Sequence, residues 1–247
     1  MKSIKIMLLA AVCLLAVTSC SKTSTSTASG GGGASGHLKS LTQVVTSGSQ
    51  TDSIVTTFTY DSQNRVITQI AVTRIGGSIL GSDTTTYSYF ADSIIQNIAG
   101  NIAIYYLNSN GYRASDNLGD TWTYNSNGYL ISSLSVVLGS NTVNTSYTYN
   151  SSDQVATKTT TEIVLGVTTT DTDTYSYSND TINSPSSNWG TGKSGGAFWS
   201  TDVNVKAGVT TTLTNTYVTD SQNRLSKTTT VSSAAGSPPI VTYYAYY

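Results

Sequence analysis

Five short segments of this chain repeat one turn signal, and that repeat restricts the fold more than any other feature. Residues 61–65 and 220–224 both read Asp-Ser-Gln-Asn-Arg, residues 108–112 and 125–129 both read Asn-Ser-Asn-Gly-Tyr, and residues 150–154 read Asn-Ser-Ser-Asp-Gln. The first slot (Asp61, Asn108, Asn125, Asn150, Asp220) holds a side-chain oxygen that can accept a hydrogen bond from the backbone two residues on. The fourth slot (Asn64, Gly111, Gly128, Asp153, Asn223) holds one of the three residue types that best tolerate a left-handed backbone. A type I turn closed by one left-handed residue joins two antiparallel strands through a bulge. The repeat therefore predicts hairpin turns, and the chemistry it carries is backbone geometry.

The flanking residues agree. From Leu41 onward Thr, Ser, Val, Ile and Tyr dominate, and apolar residues recur with a period of two. Val66, Ile70 and Val72 share one strand face, as do Leu130, Leu134 and Val136. Tyr87 and Tyr89, Tyr147 and Tyr149, and Tyr175 and Tyr177 point the same way in pairs, and on neighbouring hairpins they would form an aromatic stripe. Looser glycine turns near Gly76, Gly139, Gly166 and Gly236 alternate with the first kind. The expectation is an all-β antiparallel meander of about fourteen strands between Leu41 and Tyr246. The first strand (41–46) and the last (240–246) are both uncharged. Two bare edges would template aggregation, so the ends should pair or be covered, giving a closed or nearly closed barrel-like sheet. A barrel that wide cannot be filled by side chains alone, so it must flatten, curl or hold a cavity.

The pattern Tyr-Asp/Asn-x-x-Gly/Asn-Arg/Tyr-Leu/Val, with Leu107 and Thr219 replacing the leading Tyr in two copies, resembles the YD repeat of Rhs-type proteins. It is also similar to small YD-like lipoproteins of Bacteroidota, among them a domain of unknown function described as porin-like. The resemblance covers most of residues 41–247 and implies the repeat architecture and a cell-envelope lipoprotein. It does not imply the toxin-enclosing shell of Rhs proteins, whose repeats are far more numerous.

The N-terminus carries its own signal. Lys2 and Lys5 precede an unbroken apolar run over residues 6–17, too short to span a bilayer but suited to a secretory leader. Val17-Thr18-Ser19-Cys20 resembles the lipobox of bacterial lipoproteins, which implies cleavage before Cys20 and acylation of its sulfur. The expected organisation is a leader at 1–19, a Ser/Thr/Gly-rich tether at 20–40, and a YD-like repeat β domain at 41–247. Of the two cysteines, Cys13 leaves with the leader and Cys20 is acylated, so no disulfide is expected in the mature chain.

Few residues suit chemistry. The only histidine, His37, lies in the tether, which excludes a Ser-His-Asp triad and a histidine metal site. Net charge is −1 with no basic cluster, which excludes a nucleic-acid surface. Gly190–Gly196 lacks the spacing and the strand–helix context of a phosphate loop. Asp171 and Asp173 share a strand face and read as solvated sheet charges. The repeat breaks over residues 183–196, and Trp189 and Trp199 flank the Gly-rich stretch 190–196 in it, with Phe198 adjacent. With Tyr175 and Tyr177 they are the candidate ligand-binding residues, suited to stacking on a sugar or peptide.

These features lead to a membrane-anchored, non-enzymatic envelope lipoprotein of the outer membrane, periplasmic or surface-exposed. Its partners are the membrane through Cys20 and a glycan or protein ligand, with no cofactor, metal or nucleic acid. Two alternatives stand beside it: a polysaccharide-acting enzyme using Asp residues near the 183–200 loop, and an outer-membrane β-barrel. The threonine-rich strands supply no outward apolar band for the latter.

Overall fold

The computed structural model describes residues 37–137, 141–177 and 199–247. Sixteen strands run in order: β1 (Leu38–Ser47), β2 (Gln50–Tyr60), β3 (Val66–Ile75), β4 (Ser78–Tyr89), β5 (Ser93–Ile98), β6 (Asn101–Leu107), β7 (Arg113–Asp116), β8 (Thr121–Tyr124), β9 (Leu130–Val137), β10 (Asn141–Tyr149), β11 (Val155–Val164), β12 (Val167–Tyr177), β13 (Trp199–Lys206), β14 (Val209–Thr219), β15 (Leu225–Ser232) and β16 (Ile240–Tyr246). Each pairs antiparallel with its neighbours in sequence. β1 pairs with β16, Leu41 opposite Tyr244 and Gln43 opposite Thr242, which closes the barrel. The sheet is thus all-β and closed, as the bare terminal strands require. The two strands beyond the expected fourteen include β7 and β8, four residues each, too short to show a period of their own. β1 starts at Leu38, inside the expected tether, and His37 packs its ring 5.0 Å from that of Tyr60.

All five repeat turns form as their residues dictate. Asp61 Oδ1 accepts the amides of Gln63 and Arg65, each at 2.9 Å. Asn108, Asn125, Asn150 and Asp220 do the same for the amides two and four residues on. The fourth slots are left-handed: φ is 62° at Asn64, 75° at Gly111, 86° at Gly128, 59° at Asp153 and 57° at Asn223. These turns all lie on one rim, with both barrel termini. The glycine turns lie on the other.

A bulge follows several repeat turns, and it changes which face a residue reaches. Thr59 pairs with Thr68 but Tyr60 with Val66, so Val66 leaves the face of Ile70 and Val72 and is buried inside, 1 % exposed. The face shared in β3 is therefore Thr68, Ile70 and Val72, and it points outward.

A tyrosine that ends a strand acts as a clasp. The last residue of β2, Tyr60, donates its hydroxyl to the carbonyl of Leu38, the first residue of β1, at 2.7 Å. Tyr89 does the same to Val66, Tyr149 to Leu130, Tyr177 to Val155 and Tyr246 to Leu225, between 2.6 and 2.9 Å. In three of the five turns the fifth slot then covers the next clasp: Arg65 lies 4.4 Å over the Tyr89 ring, Arg224 4.4 Å over Tyr246, and Tyr129 packs 5.1 Å from Tyr149. The tyrosine pairs therefore form no single stripe. They face inward on β4, β10 and β12, tying hairpins together.

Candidate functional site

Burial and register together identify the inner face. Gln43, Thr85, Thr145, Asp173, Asp202, Thr228 and Thr242 are polar and buried, and the pairings place them all on one side of the sheet. Along β1–β6 this face gathers an apolar cluster beside Gln43 and Thr85: Leu41, Phe58, Val66, Tyr87 and Ile94, with Leu38, Tyr60 and Tyr105 against it. Along β11–β13 it is charged. The two halves divide the interior into a packed side and a polar side.

The polar side follows from alternation in β11, β12 and β13. Lys158 stands opposite Tyr147 and Asp173, Asp173 opposite Asn204, Asp171 opposite Lys206, and Tyr175 opposite Asp202. Lys158 Nζ meets Asp173 Oδ2 at 3.0 Å. The amide nitrogen of Asn204 donates to Asp171 at 2.5 Å and also to Asp173. Lys206 Nζ lies 3.9 Å from Asp171. The reading of Asp171 and Asp173 as solvated charges is corrected here: both face inward, and Asp173 is 8 % exposed. The alternation itself was visible in the sequence. A wide barrel reverses the usual inference because its interior, not its exterior, takes the polar face.

Asp202 is the unusual member. It is 7 % exposed, and its Oδ1 accepts no hydrogen bond from the described residues. Burial, and then the neighbouring negative charge of Asp173, push its carboxyl up to about 7, against a smaller opposing effect of Lys158. Burial alone would lower Lys158, but Asp173 outweighs it and holds the ammonium above its ordinary value. Tyr175 is raised by burial and then by Asp173 and Asp202, and Tyr147 by burial and Asp173. The inner wall therefore favours the protonated forms of both Lys158 and Asp202.

Three of the five candidate residues come together beside this wall. The Trp199 ring lies 5.9 Å from that of Tyr175 at 54°, and Tyr177 pairs with Trp199 across β12 and β13. The Trp199 carbonyl accepts the Tyr217 hydroxyl at 2.6 Å and the Asn215 amide at 3.3 Å. Trp189, Phe198 and Cys20 lie outside the described residues. Sequence reasoning missed Lys158, Asp202 and Asn204, though the runs Thr-Lys-Thr and Asp-Val-Asn-Val-Lys carry the alternation that places them on one face. Among the described residues, no three of His, Cys, Asp and Glu are grouped to hold a metal ion.

The outer face of the same strands is rich in threonine. Thr157, Thr159 and Thr161 stand opposite Thr174, Thr172 and Thr170, and Thr201 opposite Thr214.

No family model matches the chain, and no curated protein matches it. Among solved structures, the fold is similar to that of a porin-like protein from Bacteroides uniformis, with a TM-score of 0.63 and 17% identity over 85% of this chain and 96% of that one. A porin-like protein from Bacteroides vulgatus gives a TM-score of 0.61 and 10% identity over 86% and 99%. At these identities the likeness extends to the fold alone: this chain is a closed barrel similar in fold to those two proteins.

Proposed function

We propose that the chain is a YD-like envelope lipoprotein, anchored to the outer membrane through Cys20, whose barrel stands in water and binds a glycan beside the polar half of its inner face. The observation that carries this reading is the outer face. A spanning barrel needs a continuous apolar band ~25 Å tall. At ~3.3 Å per residue, the four-residue strands β7 and β8 cover only ~13 Å. Strands β11 to β14 turn threonine outward at most positions where such a band would stand. For the ligand, Trp199 and Tyr175 offer ring faces beside the polar wall of β11–β13, the mixture of aromatic and polar groups that recognises sugar rings. The reading is non-enzymatic because Asp173 is committed to Lys158 and Asn204, and Asp202 Oδ1 is shut away from solvent.

Palmitate-analogue labelling tests the anchor: Cys20→Ala should lose all label, and equal labelling of both proteins sinks it. A glycan array tests the ligand: binding that Trp199→Ala abolishes supports the site, and no retained glycan overturns it. The second reading, a spanning outer-membrane barrel, draws on the porin-like neighbours. Retention of the exported Cys20→Ala protein in membranes after alkaline carbonate extraction would favour it.

A further inference from the structure

The two rims of the barrel differ in a way the inner face does not use. The repeat-turn rim presents Asp61, Arg65, Asn108, Asn125, Asn150 and Asp220. The glycine-turn rim presents aliphatic side chains to solvent at tip after tip. Leu80 on the β3–β4 hairpin is 60% exposed, Ile102 on β5–β6 54%, Leu118 on β7–β8 62%, Leu165 on β11–β12 88% and Val209 on β13–β14 67%. Exposed apolar residues scattered singly need no explanation, but a set gathered at one end of a molecule does. Each would lower the free energy by leaving water, and none of the described residues covers them.

Several of the charges nearby are already occupied. Asp52 Oδ1 accepts the amide of Gly76. Asp116 Oδ1 takes the amides of Leu118 and Asp120, and Asp120 takes the amide of Val136 and the hydroxyl of Ser135. Lys206 leans back toward Asp171. The tips themselves are left aliphatic.

We infer that this aliphatic rim docks onto a lipid bilayer, the tips dipping into the boundary between headgroups and acyl chains while the barrel wall stays in water. Three features select lipid over a protein partner. The apolar residues sit on separate hairpins around a closed ring, so they describe a plane and not a groove. Consecutive residues are exposed, Ile79 with Leu80 and Val164 with Leu165. Successive strand residues point to opposite faces, so both faces of a tip are apolar, as an isotropic medium suits and a one-sided protein surface does not. The third feature is tether length, and this part rests on the lipid-anchor reading. The chain enters the barrel at Leu38, on the far rim. Residues 21–37, extended at ~3.4 Å each, reach ~58 Å, whereas the ten-residue wall of β1 is ~33 Å or less in height. An acylated Cys20 can therefore lie in the same membrane plane as the aliphatic rim. A single acyl chain binds membranes only marginally, and a second membrane contact turns reversible attachment into stable residence.

The test uses a chain beginning at Ser21, which keeps every strand of the closed barrel and carries no acyl group, so it does not depend on the anchor. It is sedimented with large vesicles of phosphatidylethanolamine and phosphatidylglycerol at low and at high salt. The expected result is co-sedimentation that persists at high salt, since burial of aliphatic groups is not screened. Leu80→Ser with Leu165→Ser should reduce the partition coefficient roughly tenfold or more. Phe90→Ser on the opposite rim should leave it unchanged, and circular dichroism should show all variants folded. Wild-type protein that stays in the supernatant overturns the inference, and so does a tip variant that partitions like wild type. A tip-dependent dimer in sedimentation velocity, without vesicle binding, overturns it in favour of a second copy of the chain. Loss of labelling at Cys20 is read separately and bears only on the anchor.

Discussion

Asp202 shows how one buried carboxyl couples this barrel to pH. Its folded value of about 7 lies above its ordinary 3.8, so between those values the native chain binds a proton that the unfolded chain has released. Stability contributed at this site is therefore intact below about 4, falls as pH rises towards 7, and stays lost above it. Burial sets this first; Asp173 on β12 adds to it, Lys158 on β11 opposes it, and Asp171 on β12 adds a smaller push upward. In guanidinium melts from pH 4 to 8, Asp202→Asn should flatten the part of the pH slope it shares with wild type and be the more stable protein at pH 8. An unchanged slope would show that Asp202 ionises freely in the folded state. A second contrast belongs to backbone geometry. Gly111 and Gly128 occupy the same turn slot with φ of 75° and 86°. A Cβ at Gly111 meets nothing within 4 Å, whereas one at Gly128 would stand 2.8 Å from the Tyr112 hydroxyl. Gly111→Ala should cost about 1 kcal/mol from the left-handed conformation alone. Gly128→Ala should cost measurably more in the same denaturant melts, and equal costs would mean that the Tyr112 ring moves aside freely.

At the scale of the hairpin, the clasp and its cover act as a unit. Tyr89→Phe should cost about 1 kcal/mol, because it leaves the Val66 carbonyl without its donor. A double-mutant cycle between Arg65→Ala and Tyr89→Leu should give a coupling of about 0.5–1 kcal/mol for the guanidinium on the ring. Strict additivity would make Arg65 only a turn residue. The turn was legible from sequence because its demands are local: Asp61 and Asn64 are needed whatever surrounds them. The clasp was not, because Tyr89 finds Val66 only after a bulge has rotated that residue inward. The polar wall was half legible. Lys158, Asp171, Asp173 and Asn204 alternate with threonine and valine in the sequence, but which face is inside depends on how many strands the barrel has, and no short stretch encodes that number. The very short strands β7 and β8 escaped for the converse reason: four residues hold too little pattern to announce a strand.

For the whole molecule, closure depends on a single pairing between chain ends, Leu38–Ser47 with Ile240–Tyr246. Removing residues 240–247 should abolish the cooperative unfolding transition, since it deletes the strand between β1 and β15 and the Tyr246 clasp on Leu225. Retention of a sharp transition would mean that fifteen strands can reclose without it. The same topology sets an order of assembly. Every pairing except β1 with β16 joins strands that follow one another in the chain, and each clasp reaches back to residues already present: Tyr60 to Leu38, Tyr89 to Val66, Tyr149 to Leu130. Local hairpins form in microseconds, and contacts distant in sequence form last. A chain threaded outward from its N-terminus can therefore lock each hairpin as it emerges, exposing at any moment the newest edge and the free side of β1. The final strand completes the ring, so the interval in which a bare edge faces other emerging chains closes with the arrival of the last few residues.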